Sequence, residues 1–156
     1  MDLLFLFEWF DQSLLASVAK AYGGVFAMVQ TVHLASLALL GGMMLTMDLR
    51  LLNILMRDVD LADVEATTTY WINVALVTVT LSGIFQSAAV SIKLYYNEFF
   101  WAKMAGFAMG IAFMYLIKRP LVRRNSSPAY VHKLVAIASL TIWFGVAATG
   151  RWIGFS

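Results

Sequence analysis

Five polar side chains interrupt an otherwise apolar chain: Gln30, His33, Gln86, Lys103 and Arg151. An imidazole titrates near neutral pH, and its ring nitrogens can ligate haem iron or copper, or share a hydrogen bond with a quinone oxygen. The two glutamines add neutral donors and acceptors, and the two cations suit propionates or phosphates. His33 with a methionine of the third hydrophobic segment, Met104 or Met109, would make an axial pair for haem b. The same set would serve a quinone headgroup or a lipid headgroup equally well. With nine methionines in the chain, most of them are packing residues, so the ligand role falls on His33 first.

Positioning these groups falls to four segments that read as membrane-crossing helices. Hydrophobic residues fill 62% of the 156 positions and charged residues 13%, and the mean hydropathy is +0.80. A soluble domain could not build a polar skin from that composition. The predicted fold class is all-α, an integral membrane four-helix bundle with an N-terminal amphipathic interfacial helix. The absence of cysteine removes disulfides, thiolate metal sites and Cys nucleophiles together. Short connections and no Pro/Gly/Ser-rich linker predict a single membrane domain over residues 1–156.

Residues 3–19 mix apolar clusters with Glu8, Asp11, Gln12 and Ser13 and carry Phe5, Trp9 and Phe10, which predicts a helix lying on the membrane surface. Met1–Phe10 holds Asp2 and Glu8 and lacks a basic start, so it reads as part of that helix and not as a cleavable signal. Spans are predicted over about 21–47, 70–92, 99–117 and 131–155, with Trp71, Trp101 and Trp152 near their ends as aromatic belts require. The acidic run Asp58, Asp60, Asp63 and Glu65 reads as a solvated loop with helix-start chemistry. Ala102, Gly106 and Gly110, and Gly150 with Gly154, repeat at a spacing that favours close helix contact.

Gln30 and His33 share a helical face with Leu37, Leu40 and Met44, so both should face the bundle. At about 1.5 Å per residue from each span's midpoint, His33 lies roughly 5 Å from the bilayer centre, Gln86 roughly 8 Å, Gln30 and Lys103 roughly 9 Å and Arg151 roughly 13 Å, all on one side. Arg50, Arg57, Lys118, Arg119, Arg123, Arg124 and Lys133 flank the first and third loops, against Lys20, Lys93, Lys103 and Arg151 opposite. The positive-inside rule then places both termini on the periplasmic side of a bacterial inner membrane. His132 falls roughly 20 Å from His33 in depth, too far for both to face one iron, and beside Lys133 it reads as solvated. Asp48 and Arg50 read as an ion pair closing the first span, and Lys118 to Arg124 as an orienting basic loop touching anionic lipid.

Soluble-enzyme signatures are missing: there is no G-x-x-x-x-G-K-[ST], G-x-G-x-x-G, H-E-x-x-H or G-x-S-x-G. The predicted spans contain no Asp, Glu or internal Pro, which argues against a pump or secondary transporter. The positive charge is a topology signal, and no nucleic acid partner is expected.

Thr31-Val32-His33-Leu34-Ala35 with Gly41 and Gly42, Asp48-Leu49-Arg50-Leu51-Leu52, Asn97-Glu98-Phe99-Phe100-Trp101-Ala102-Lys103-Met104 and Gly150-Arg151-Trp152-Ile153-Gly154 carry a family resemblance. The chain resembles small bacterial four-span inner-membrane proteins of unknown function, remotely similar to the membrane domain of copper-resistance D proteins. The resemblance implies the four-helix fold and marks His33, Asp48, Arg50, Lys103 and Arg151. It brings no activity, and Tyr115, Lys118 and Arg119 stand where a histidine near the end of the third span would be expected. The expected function is a small multi-pass subunit of a larger, redox-linked membrane complex, in contact with lipids and other membrane subunits and without catalysis of its own. Its outer-leaflet pocket around His33, Gln30, Gln86, Lys103, Met104 and Arg151 would bind haem b, quinone or lipid. The alternatives are a stand-alone b-type cytochrome between quinol and a periplasmic acceptor, and a copper-handling membrane protein.

Overall fold

A computed structural model describes residues 3–124 and 127–155. In chain order the helices are α1 (Leu4–Asp11), α2 (Leu14–Ala21), α3 (Gly23–Leu51), α4 (Leu61–Ala89), α5 (Ser91–Tyr95), α6 (Glu98–Phe113), a π-helical turn (Met114–Lys118), α7 (Arg119–Arg124) and α8 (Ala129–Trp152). Four of the resulting rods are long and apolar enough to cross a membrane: α3, α4, the continuous run Glu98–Arg124, and α8. The chain is a multi-pass membrane protein built as an up-and-down bundle. Its helices pack as α3 on α4 and α6 on α8, joined by α3 on α8, while α4 reaches the third span chiefly through α7. The bundle has a terminal end, where α1, α2 and α5 gather, and a loop end, where residues 52–60 reverse the chain between α3 and α4 and where α7 ends and α8 begins.

The N-terminal segment is two helices where one was expected over 3–19. Ser13 adopts an extended ψ of 159° and its side chain accepts the Ala16 N–H, so it starts a new helix where the first one ends. The Lys20 ammonium donates to Asp11 across the break at 2.8 Å. Phe7 turns inward against Tyr95 and Phe100 at centroid distances of 5.4 and 6.2 Å, and Ser91 Oγ donates to the Phe7 carbonyl. Phe5, Trp9 and Leu14 stay exposed, giving α1 and α2 an apolar outer face at the membrane surface.

The spans are longer at the loop end than hydropathy predicts. Asp60 caps α4 by accepting from Ala62 N at 2.7 Å, so the helix starts at Leu61 and winds Asp63 and Glu65 into its opening turns, not into a solvated loop. Likewise α3 carries Asp48 and Arg50 inside its last turns. Asn53 and Met56 reverse the chain with φ of 61° and 52°.

The third span is disturbed near Pro120. That residue has no N–H to give, and its ring crowds the carbonyl four residues back, so the ladder widens and the Arg119 N–H bonds to the Met114 carbonyl. The wider turn has a packing consequence. In an α-helix each step of four residues overshoots a full turn by about 40°, and the π turn cancels part of that drift. Gly110, Met114, Lys118 and Val122 consequently all end up buried.

Most large buried side chains lie in the loop half. Leu40, Met44, Ile72, Leu76 and Met114 form one cluster, and Met47, Leu51, Val64 and Val122 another. The α6 and α8 helices approach on glycine: a Cβ at Gly106 would stand 3.1 Å from Val146, and one at Gly110 would stand 3.1 Å from the Trp143 ring. Close backbone approach of this kind is what small residues allow between membrane helices.

Candidate functional site

In the terminal half, His33 of α3 points at α4. Its Nδ1 lies 2.8 Å from Ser82 Oγ, and the ring sits over Gly83, where a Cβ would come within 3.3 Å of Cε1. The hydroxyl hydrogen of Ser82 is directed to the Thr78 and Val79 carbonyls. With its hydrogen spent on a carbonyl, Ser82 accepts from the His33 tautomer that carries its proton on Nδ1, and that tautomer keeps a lone pair on Nε2. A ligating or accepting imidazole is oriented in this way by a partner on its other nitrogen. No described residue donates to Nε2.

Lys103 of α6 supplies a nearby charge. Its aliphatic stem lies along Gly150 of α8, with Cε 3.4 Å from where a Cβ would be, and its ammonium is near enough to act electrostatically on His33. It makes no ion pair or hydrogen bond to another described residue. Gln86 is partly buried and donates to the Ser82 carbonyl at 3.3 Å, so it leans on the same turn of α4 but does not bond His33. The other three candidates stand apart. Gln30 is exposed on α3, Met104 is exposed, and the Arg151 guanidinium lies 4.5 Å over the Phe155 ring. The structure thus brings together His33, Gln86 and Lys103, and adds Ser82 and Gly83.

The loop half holds a second set of polar groups. Lys118 Nζ meets Asp48 Oδ1 at 2.5 Å, with 4% and 1% of the two side chains exposed. Ser139 Oγ donates to Asp48 Oδ2 at 2.7 Å, and Lys118 also donates to Ser139 at 3.2 Å. Three helices are tied by one ion pair and one hydroxyl. Beside it, Glu65 Oε1 accepts from Arg119 Nε, Arg123 Nε and Thr69 Oγ1, each at 3.2 Å. A small cleft between the two networks is bordered by Met44, Glu65, Thr69, Met114, Lys118 and Arg119.

Several expectations change here. Asp48 does not pair with Arg50, because residues two apart leave a helix on different faces; Arg50 instead donates to the Val59 carbonyl through Nε and Nη2. Carboxylates do lie within the helical rods. His132 is buried, not solvated, and among the described residues neither its enclosed Nε2 nor the Trp143 indole N–H has a hydrogen-bond partner. Among the described residues no three His, Asp or Glu side chains converge to hold a metal ion.

Comparison with known proteins adds a family and no activity. No curated protein and no solved structure matches this chain. A family of unknown function, DUF6644, matches residues 6–156. A chain whose four spans and both polar networks fall within that match belongs to DUF6644, a family of unknown function.

Proposed function

We propose that this chain is a small multi-pass subunit of a larger membrane complex in a bacterial inner membrane, with both termini outside, and that it binds a quinone headgroup between α3, α4 and α6. One observation carries the reading: His33 Nδ1 lies 2.8 Å from Ser82 Oγ, a contact that suits the tautomer with an unshared Nε2 lone pair, beside an ammonium without an ion partner among the described residues. An acceptor and a cationic donor at neighbouring positions suit the two states of such a headgroup, a hydroxyl that donates to Nε2 and a carbonyl oxygen that accepts from Lys103. The described residues lie almost wholly in long apolar rods and the short helices beside them, which favours work within an assembly over independent chemistry.

The test is binding of a short-chain quinone to the purified full chain in nanodiscs, with native mass spectrometry of the complex extracted from membranes. Micromolar binding that His33→Ala and Lys103→Met each weaken at least tenfold, and a stoichiometric partner subunit, are the expected results. Equal affinity in wild type and both variants would refute the site.

The Nδ1 hydrogen bond also favours a second reading, haem b ligated through Nε2. An absorption spectrum separates the two, since a Soret band that disappears in His33→Ala belongs to haem and not to quinone. The copper reading rests on His33 and methionines alone, and direct copper titration addresses it.

A further inference from the structure

The basic stretch at the loop end is organised, not diffuse. Lys118 is committed to Asp48. Arg119 and Arg123, one helical turn apart on α7, both reach the same oxygen of Glu65 through Nε, at 3.2 Å each. Held by Nε, each guanidinium leaves its two Nη groups without a partner among the described residues. Glu65 is itself buried, with 8% of its side chain exposed, while Arg119 and Arg123 are 20% and 60% exposed. The Tyr115 ring, 5.0 Å from Arg119 Cζ, backs that guanidinium from the bilayer side, and Tyr115 is itself tethered by its hydroxyl to Asn73. A single buried carboxylate therefore aims two cationic forks outward, with one net positive charge left over. Leu116 and Ile117, toward the membrane centre on the same span, are 75% and 48% exposed.

We infer that Arg119 and Arg123 form a headgroup site for an anionic phospholipid, with the phosphate received by the free Nη groups and the acyl chains running past Leu116, three residues before Arg119 on the same face. Guanidinium forks match the oxygens of a phosphate bidentately, which an ammonium cannot do. The exposed Leu116 side chain below the forks selects a lipid over a free anion, and the surplus charge selects an anionic headgroup over a zwitterionic one.

The experiment is native mass spectrometry of the full chain in detergent with dioctanoyl phosphatidylglycerol as probe, against dioctanoyl phosphatidylcholine and inorganic phosphate. Wild type should retain phosphatidylglycerol selectively. R119K/R123K keeps the charge but loses the forks, and should weaken retention about tenfold; R124Q, which removes a charge outside the site, should leave it unchanged. Glu65→Gln should also weaken retention, although it makes the region more positive. Circular dichroism confirms that each variant is folded. Equal loss in R124Q, tighter binding in Glu65→Gln, equal retention of phosphatidylcholine, or displacement by phosphate at the lipid's own concentration would each overturn the site.

Discussion

Removing Lys118 should unbalance the bundle more than any surface change. In Lys118→Met the Asp48 carboxylate keeps the Ser139 hydroxyl but loses its counter-ion, in a place where only 1% of its side chain meets the surroundings. Breaking one partner of a buried pair costs about 3–5 kcal/mol, because the remaining charge stays desolvated and unpaired. The single lost Lys118 to Ser139 bond adds little beside that. Taking away both charges is different: Asp48→Asn with Lys118→Met leaves no orphan ion, and well-packed neutral replacements of buried pairs are often neutral in cost. The double variant should regain at least about half of the loss. Ser139→Ala removes one donor to a charged oxygen and should cost about 1–2 kcal/mol. Reversible unfolding in bicelles measures all three. If Lys118→Met falls within about 1 kcal/mol of wild type, or the double variant is worse than the single, the ion pair does not hold these helices together and the reasoning fails.

Gly110→Ala should destabilise the bundle by about 1–3 kcal/mol, since its Cβ meets Trp143 and Ile142 at 3.1–3.3 Å, while Gly42→Ala, with open space around it, should be neutral or slightly stabilising; the same unfolding assay compares them. The Lys20 hydrogen bond holds Asp11 below the usual carboxylate range, so this contact supports α1 and α2 above the ordinary Asp value and is lost as pH falls through the lowered one. Trp9 fluorescence should therefore change on acidification, and Asp11→Asn should abolish the change. Ser82→Ala should free the His33 ring and shift the histidine NMR signals without unfolding the chain.

Hydropathy made the four rods legible because it sums over whole turns, and the helical period put His33 on an inward face. It could not locate Ser82, a residue of middling hydropathy whose importance depends on the register of α3 against α4. Gln30 shares His33's face by spacing, yet lies a turn nearer the terminal end, where fewer side chains cover it. The largest omission is the Asp48, Lys118 and Ser139 network. Charges near span ends read singly as boundary markers, and their partners lie on three helices far apart in sequence. Pro120 was the available signal: a proline two residues past Lys118 marks a disturbed helix, and such turns gather at functional sites. Glu65 escaped for a related reason, since a helix-capping aspartate five residues earlier made the whole acidic run look like loop.

An oriented His33 should present its free nitrogen to the ligand. Nitrogen-15 NMR of histidine-labelled protein tests it directly, because the two ring nitrogens report separately whether each carries a proton. The prediction is a proton on Nδ1, a bare Nε2, and a shift of the Nε2 resonance when quinone is added. A proton resting on Nε2, or an Nε2 signal indifferent to quinone, would contradict it.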